Sequence, residues 1–309
     1  MRGVLNINKP SGISSYDVIR RIKRIFKDIT ESGRTSPSIK LGHAGTLDPL
    51  ASGVLLILFN EATKISRFLN EQKKEYIAAI KLGIKTDTDD ITGKIQKENE
   101  LPELSINQIE EILSEFECEI SQIPPVFSAL RQQGQRLYNL ARQGKIYRPL
   151  PRKVTVHEIE LKNFISPILK IRTIVSKGTY IRSLARDIGD RLGCGATLIA
   201  LTRTKIGSFN IDDSLKLEEL TLDLIQKHLY PISLALHDFD TVYVKDEAIK
   251  KLLTGQVINE SDLIKSDLTQ LSSPKVQICD SAQKVLAIAS RIDSVLKPIR
   301  LIYADIPKT

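Results

Sequence analysis

Apolar and polar positions along this chain fall into short runs whose period keeps switching between that of a strand and that of a helix. Val4-Leu5-Asn6-Ile7-Asn8 alternates as a strand does, Lys9-Pro10-Ser11-Gly12 follows as a turn, and Ser14-Ser15 can cap a helix through Val18, Ile19, Ile22 and Ile25. Residues 28–40 are polar and turn-rich, which predicts a surface loop. The apolar run Val54-Leu55-Leu56-Ile57-Leu58-Phe59 has the length of a buried strand. Glu75 to Leu82 reads as a strand, and Ser105 to Cys118 as an amphipathic helix with Ile109, Ile112, Leu113 and Phe116 inward. Leu169 to Ser176 alternates again, and a helix follows from Tyr180 to Leu192, ending at Gly193. After Pro231 the character shifts to a strand at 242–244, a short helix from Asp246 to Leu253 stopped by Gly255, and strands at 276–279, 285–289 and 299–303.

Composition narrows the class of protein. A chain of 309 residues suggests two domains of ordinary size, and 41% hydrophobic with 27% charged residues is a globular balance. The formal net charge of +8 points to a polyanionic partner. Cys118, Cys194 and Cys279 are scattered and odd in number, against both a disulfide framework and a zinc site, and in keeping with a reducing cytoplasm. The N-terminus shows no long apolar segment and no run approaches the ~18 residues of a membrane span, so a soluble intracellular protein is expected.

The most informative stretch is Gly42-His43-Ala44-Gly45-Thr46-Leu47-Asp48-Pro49-Leu50-Ala51-Ser52-Gly53. It presents one carboxylate, Asp48, on a loop bracketed by Gly45 and Pro49 that feeds directly into the buried strand. Glycine admits backbone conformations closed to other residues, and Pro49 restrains both itself and Asp48, so the loop is built to hold one group still. Three further segments accompany it. Lys74-Glu75-Tyr76 places an aromatic side chain at a strand start. From Arg131 to Lys153 the chain carries Arg131, Arg136, Arg142, Lys145, Arg148, Arg152 and Lys153 with no acidic residue, interleaved with Tyr138 and Tyr147, as phosphates and stacked bases would require. Ser176 to Ala185 puts Arg182 in the first turn of a helix, where the helix end disfavours a cation unless a carboxylate offsets it; Asp48 is the natural candidate.

Other patterns do not carry chemistry. Asp87-Thr88-Asp89-Asp90-Ile91-Thr92-Gly93 mimics a calcium loop but has Ile91 and Thr92 where a ligand and a glycine belong, so it reads as a polar turn. Gly193-Cys194-Gly195 follows a helix rather than a strand, and Lys177-Gly178-Thr179 lacks the upstream glycine of a phosphate loop. No GxSxG elbow accompanies His43.

The four segments resemble, in order and spacing, the TruB family of tRNA pseudouridine synthases, and the likeness covers most of residues 3 to 209; Lys9-Pro10-Ser11-Gly12 with Ser14-Ser15 resembles the family's first motif. The resemblance implies an α+β pseudouridine synthase fold with a mixed, mainly antiparallel sheet flanked by helices and loops. It would occupy a catalytic domain of residues 1–235, with the basic RNA-binding insertion at about 131–153. Residues 236–309, with Ala248-Ile249 and Leu252-Leu253 before Gly255, resemble a small β-rich PUA-like RNA-binding domain; a plain β-rich accessory domain is the alternative.

The implied reaction converts the T-loop uridine of tRNA (position 55 by tRNA convention) to pseudouridine, with no cofactor and no metal. Asp48 corresponds to the nucleophilic aspartate, Arg182 to its ion-pair partner and Tyr76 to the tyrosine stacked on the target base. Tyr180 and Leu201 correspond to pocket-lining residues, and His43 to the histidine associated with extruding the base. Lys9, Arg131, Arg136, Arg142, Lys145, Arg148, Arg152 and Lys153 are the expected RNA contacts, the T arm of tRNA the expected partner, and a monomer the expected state. One departure stands out: relatives often read Leu-Arg-Arg where this chain has Leu201-Thr202-Arg203, so no RNA contact is carried over to Thr202.

Isomerisation must break the N1–C1′ bond, turn the base and join C5 to C1′. A carboxylate can start this by attack at C1′ or C6, or by taking a ribose proton to give a glycal. The alternatives are a non-catalytic tRNA-binding or folding protein, which would have no use for a buried Asp–Arg pair, and a guide-RNA-dependent relative, which would have less need of a basic insertion of its own.

Overall fold

The computed structural model describes residues 1–31, 39–128, 149–264 and 268–303, with the backbone alone at 28–31, 131–132 and 135–136. Strand β1 (Gly3–Lys9) leads through the Lys9–Gly12 turn into helix α1 (Ser15–Glu31). Strands β2 (Leu41–Ala44) and β3 (Ser52–Phe59) flank the Asp48 loop, and helix α2 (Ser66–Glu71) precedes β4 (Lys74–Leu82). A small hairpin of β5 (Ile84–Thr86) and β6 (Ile95–Glu98) encloses the Asp87–Gly93 turn. Helix α3 (Ile106–Glu115) and β7 (Glu119–Gln122) follow, then the two-residue strands β8 (Arg131–Gln132) and β9 (Gln135–Arg136). The larger sheet is completed by β10 (Arg152–Ile165), β11 (Ile168–Val175), β12 (Ala196–Ile206), β13 (Phe209–Asn210) and β14 (Leu215–Lys216), with the helix Ile181–Arg191 between β11 and β12.

Ten of these strands form one sheet in the order β14-β1-β3-β12-β4-β11-β10-β7, with β2 on β3 and β13 on β12. Pairing is antiparallel except for β1 with β14 and β3 with β12, so the sheet is mixed and mainly antiparallel. The unbroken apolar run in β3 follows from its central place. Leu55, Ile57 and Phe59 point to one core with Val18, Ile19 and Ile22 of α1, and Val54, Leu56 and Leu58 point to a second core on the opposite face. A strand covered on both faces has no position left for a polar side chain. Each such fully buried side chain contributes roughly 1.5–3 kcal/mol.

The second core is shared with a C-terminal sheet of β15 (Asp240–Tyr243), β16 (Ile258–Asn259), β17 (Lys275–Cys279), β18 (Val285–Ile292) and β19 (Val295–Leu301), ordered β15-β17-β18-β19-β16. Cys279, Val285, Ile288 and Ile302 lie against the far face of the larger sheet, and the helix Asp246–Leu253 buries Ala248 and Leu252 in the small sheet's own core.

Several elements differ in extent from the pattern reading: the helix expected over Ser105–Cys118 ends at Glu115, the strand expected at 285–289 runs to Ile292, and two departures have a clear physical reason. Helix α1 continues to Glu31, because Asp28-Ile29-Thr30-Glu31 contains no residue that breaks a helix and glycine first appears at Gly33; residues 32–38 of the expected loop lie outside the described residues. The last strand begins at Val295 rather than Ile299. Pro298 sits opposite Ala289 beside a register shift, a place where the missing N–H disturbs no regular ladder.

Candidate active site

The loop carrying Asp48 is clamped from two sides by groups distant in sequence. On one side, the hydroxyl of Ser15 donates to the Leu47 carbonyl (3.0 Å) and accepts from the Leu47 N–H (2.9 Å). The Gly12 N–H donates to Pro49 O (2.7 Å) and the Ser11 hydroxyl to Leu50 O (2.7 Å). On the other side stands Arg203 of β12, 1% exposed, which donates through Nε to Val54 O (2.8 Å) and through Nη2 to Gly45 O. This explains the glycine at position 53: its φ is +101°, and a Cβ there would lie 2.1 Å from the Arg203 carbonyl oxygen. A cluster of backbone bonds thus holds the loop without drawing on the Asp48 carboxylate.

That carboxylate faces Arg182. The helix Ile181–Arg191 begins beyond Tyr180, so Arg182 lies in its first turn, and its side chain is 6% exposed against 42% for Asp48, with Nη2 to Oδ2 at 2.8 Å. Arg182 also donates to Thr88 O (3.0 Å) and Phe127 O (3.1 Å), and its Nη1 lies 3.5 Å from Asp90 Oδ2. Asp90 is itself buried and accepts from the Thr88 hydroxyl (2.9 Å) and the Thr92 N–H (3.0 Å). The turn is stitched to β12 by Ile91 N to Leu198 O (2.8 Å) and Leu198 N to Asp89 O (3.1 Å). Carboxylates from two separate segments therefore offset a cation placed at the positive end of a helix. Beside them Asp89 pairs with Arg186 at 2.9 Å, and burial pushes the Asp89 carboxyl up to about 6.

A cavity of about 680 Å³ opens over Asp48. Tyr76, Tyr180, Ile181 and Leu201 form its apolar walls, and Lys74, Arg152, Lys153, Lys177 and Arg203 supply its cations. Tyr76 of β4 lies opposite Arg203 in the β4–β12 ladder; it is 7% exposed, its hydroxyl accepts from Arg203 Nη1 (3.4 Å), and the guanidinium lies 6.0 Å from the ring centre. Tyr180 is positioned through its backbone. The buried Gln122 amide accepts from its N–H (2.8 Å) and donates to its carbonyl (3.1 Å), while burial raises its phenol above the usual range. Lys74 donates to the Asn70 and Gln72 carbonyls (2.7 Å each), and burial, with Arg203 nearby, holds its ammonium down to about 8.

Asp48, Tyr76, Tyr180, Leu201, Arg152 and Lys153 thus meet at one cavity, with Arg182 against Asp48. His43 belongs to β2 and is not among the residues lining the cavity. Its Nδ1 is buried without a hydrogen-bond partner, and burial with the Arg203 charge lowers its pKa. The expectation for Lys9 needs correction: with 0% exposure it offers no surface to RNA. Its ammonium donates to Pro10 O (2.9 Å) and Ile13 O (2.7 Å), tying down the turn behind the Asp48 loop, and burial lowers its pKa to about 8. Of the basic insertion, Arg131 and Arg136 are described only as paired backbone, and Arg142, Lys145 and Arg148 lie outside the described residues.

Four residues to which the sequence pattern assigns no place in the site complete it: Arg203, Lys74, Asp90 and Gln122. Lys74, Asp90 and Arg203 stand within or beside motifs already singled out, but nothing local to them marks their partners, and Gln122 carries no signal. Thr202 faces Ser52, hydroxyl to hydroxyl at 3.0 Å. Among the described residues, no three His, Cys, Asp or Glu side chains gather as a metal ion would require.

A family model described as TruB family pseudouridylate synthase (N terminal domain) matches residues 33–181, and one described as tRNA pseudouridylate synthase B C-terminal domain matches residues 182–237. The tRNA pseudouridine synthase B of Clostridium kluyveri is 41% identical over 97% of this chain and 99% of its own length. That of Dehalococcoides mccartyi is 36% identical over 100% and 99%. Among solved structures, an H/ACA ribonucleoprotein bound to a substrate RNA containing 2′-deoxyuridine shares the fold with a TM-score of 0.70 at 24% identity, over 98% of this chain and 86% of that one. The archaeal box H/ACA Nop10–Cbf5 complex does so with 0.71 at 23%, over 98% and 87%. The chain belongs to the TruB family of pseudouridylate synthases.

Proposed function

We propose that this protein isomerises the T-loop uridine of tRNA, position 55 by tRNA convention, to pseudouridine, with Asp48 as nucleophile and without cofactor or metal. The observation that carries the reading is the Asp48–Arg182 pair at 2.8 Å beside a cavity walled by Tyr76, Tyr180 and Leu201. A carboxylate that must act inside a closed pocket loses its hydration there, and a guanidinium fixed by two carbonyls keeps its charge partnered when substrate displaces water. The relatives' names supply tRNA as the substrate class.

In the C1′ route the Asp48 carboxylate bonds to C1′ as N1–C1′ breaks; the uracil turns, C5 bonds to C1′ as the ester to Asp48 breaks, and the proton lost from C5 is matched by one gained at N1, so product and substrate are isomers and Asp48 is regenerated. The detached uracil needs walls that retain it without fixing its orientation, and two aromatic rings with leucine suit that better than a set of hydrogen bonds. Flipping the uridine from a folded loop costs a few kcal/mol. Stacking at ~1–3 kcal/mol per base, with phosphate contacts to Lys177, Arg152 and Lys153 at the rim, offsets it. On this reading residues 1–235 are the catalytic domain, and residues 236–309 a PUA-like module that adds RNA surface.

The test is nucleotide-resolved mapping of pseudouridine in an unmodified tRNA transcript and an isolated T-arm hairpin. Product at the single T-loop uridine in both is expected. Product elsewhere refutes the assigned position, and tight binding without product favours the binding-protein alternative. Tyr76 gives an independent check. Tyr76→Phe keeps the ring and is expected to retain wild-type activity to within a few-fold, whereas Tyr76→Leu loses about 10–100-fold because ~1–3 kcal/mol of base stacking goes with the ring. Equal rates for all three proteins would remove Tyr76 from the site.

A further inference from the structure

Helix α1 presents a basic face that no part of the proposed site accounts for. Its inward positions Val18, Ile19 and Ile22 are buried against the sheet, while Arg20, Arg21, Lys23, Arg24 and Lys27 all face outward and are exposed. Arg20 is taken up locally by Asp17, with its guanidinium 5.8 Å from the Tyr16 ring. No described residue pairs with Arg21, Lys23 or Arg24. Like charges three and four residues apart on one helix face destabilise it, and cations near a helix start lack a favourable interaction with the helix end. The face therefore carries a charge pattern that the fold alone gives no reason to keep.

The same face is shaped as well as charged. A depression of about 760 Å³ is bounded by Arg20, Arg21, Arg24 and Asp17 and floored by Ile25 and Leu220. Guanidinium groups over an apolar floor match a phosphodiester backbone, with phosphate oxygens on the forks and ribose against the floor. A membrane surface is less well matched, because the apolar stripe of α1 is turned into the core. Position relative to the site supplies the link. Ser15, the first residue of α1, grips Leu47 beside Asp48, and at ~1.5 Å per residue Arg24 lies about 14 Å further along the helix.

We infer that Arg20, Arg21 and Arg24 of α1 form a second RNA-contacting surface that binds backbone phosphates of the tRNA body outside the T arm. This rests on the tRNA reading of the active site but not on the catalytic role of Asp48. The experiment compares wild type with the double variant R21Q/R24Q, measuring affinity for a full-length tRNA transcript and for the isolated T-arm hairpin over a salt series. For full-length tRNA the variant should bind about tenfold more weakly, with the slope of log K against log salt reduced by about 1.5–2, two phosphates' worth. Hairpin affinity, the saturated rate and the thermal midpoint should match wild type, and R21K/R24K should restore the slope. An unchanged slope with full-length tRNA, or the same loss on hairpin and tRNA alike, overturns the inference. Absence of product in wild type together with the altered slope would instead reject the catalytic reading and leave this surface standing.

Discussion

Replacing Asp48 with Asn is expected to abolish pseudouridine formation, by more than ~10⁴-fold, the scale on which removal of an essential catalytic group is felt. Affinity for tRNA should stay within a few-fold. The substitution is nearly isosteric, and the loop does not depend on the carboxylate for its shape. Ser15, Gly12, Ser11 and Arg203 hold it through the backbone of Leu47, Pro49, Leu50 and Gly45. An amide oxygen can still accept from Arg182, so the change removes charge and nucleophilicity while leaving the packing in place. Single-turnover conversion of the T-arm hairpin, with binding measured alongside, separates these effects. A variant that turns over at the wild-type rate would end the assignment of Asp48 as nucleophile.

Arg182→Ala is expected to lower the rate by about 10²–10³-fold and also to destabilise the protein. Breaking a buried ion pair costs ~3–5 kcal/mol, because the remaining charge is left without a partner. Here the share felt at Asp48 is smaller, since that carboxylate is 42% exposed in the free enzyme and water screens it. The penalty grows when the substrate closes the cavity, which places the loss in the rate rather than in tRNA binding. The destabilisation comes from the other side of the guanidinium, where Thr88 O, Phe127 O and the buried Asp90 lose their shared donor. Arg182→Lys should recover part of the rate by restoring the charge, but not the stability, because one ammonium cannot span all three acceptors. Rates are to be compared well below the melting transition of each variant. A folded Arg182→Ala protein with wild-type turnover would refute the pairing as a catalytic requirement.

The order of strands and helices, the Asp48 loop and the need of Arg182 for a carboxylate were open to reading from sequence because each is a local property. Periodicity reports which face of a segment is buried, Gly45 and Pro49 report a restrained loop, and a cation in a helix's first turn reports the need of a carboxylate. Lys9 and Arg203 show where such reading stops. A lysine beside Pro10 looks like a surface cation in one dimension, and only folding reveals that backbone carbonyls surround it. Arg203 gives no local sign that it will reach across the sheet to Gly45, Val54 and Tyr76. The Asp87–Gly93 run reads locally as a polar turn, yet its service as the anchor of Arg182 depends on its docking against Leu198. Residue types and the apolar face of each element are legible in one dimension, since they follow from neighbours a few residues apart. Which charges meet is settled by the packing, because the free energy of a buried cation depends on the dielectric and the acceptors around it, and for Arg182 and Arg203 these come from segments about 55 to 158 residues away.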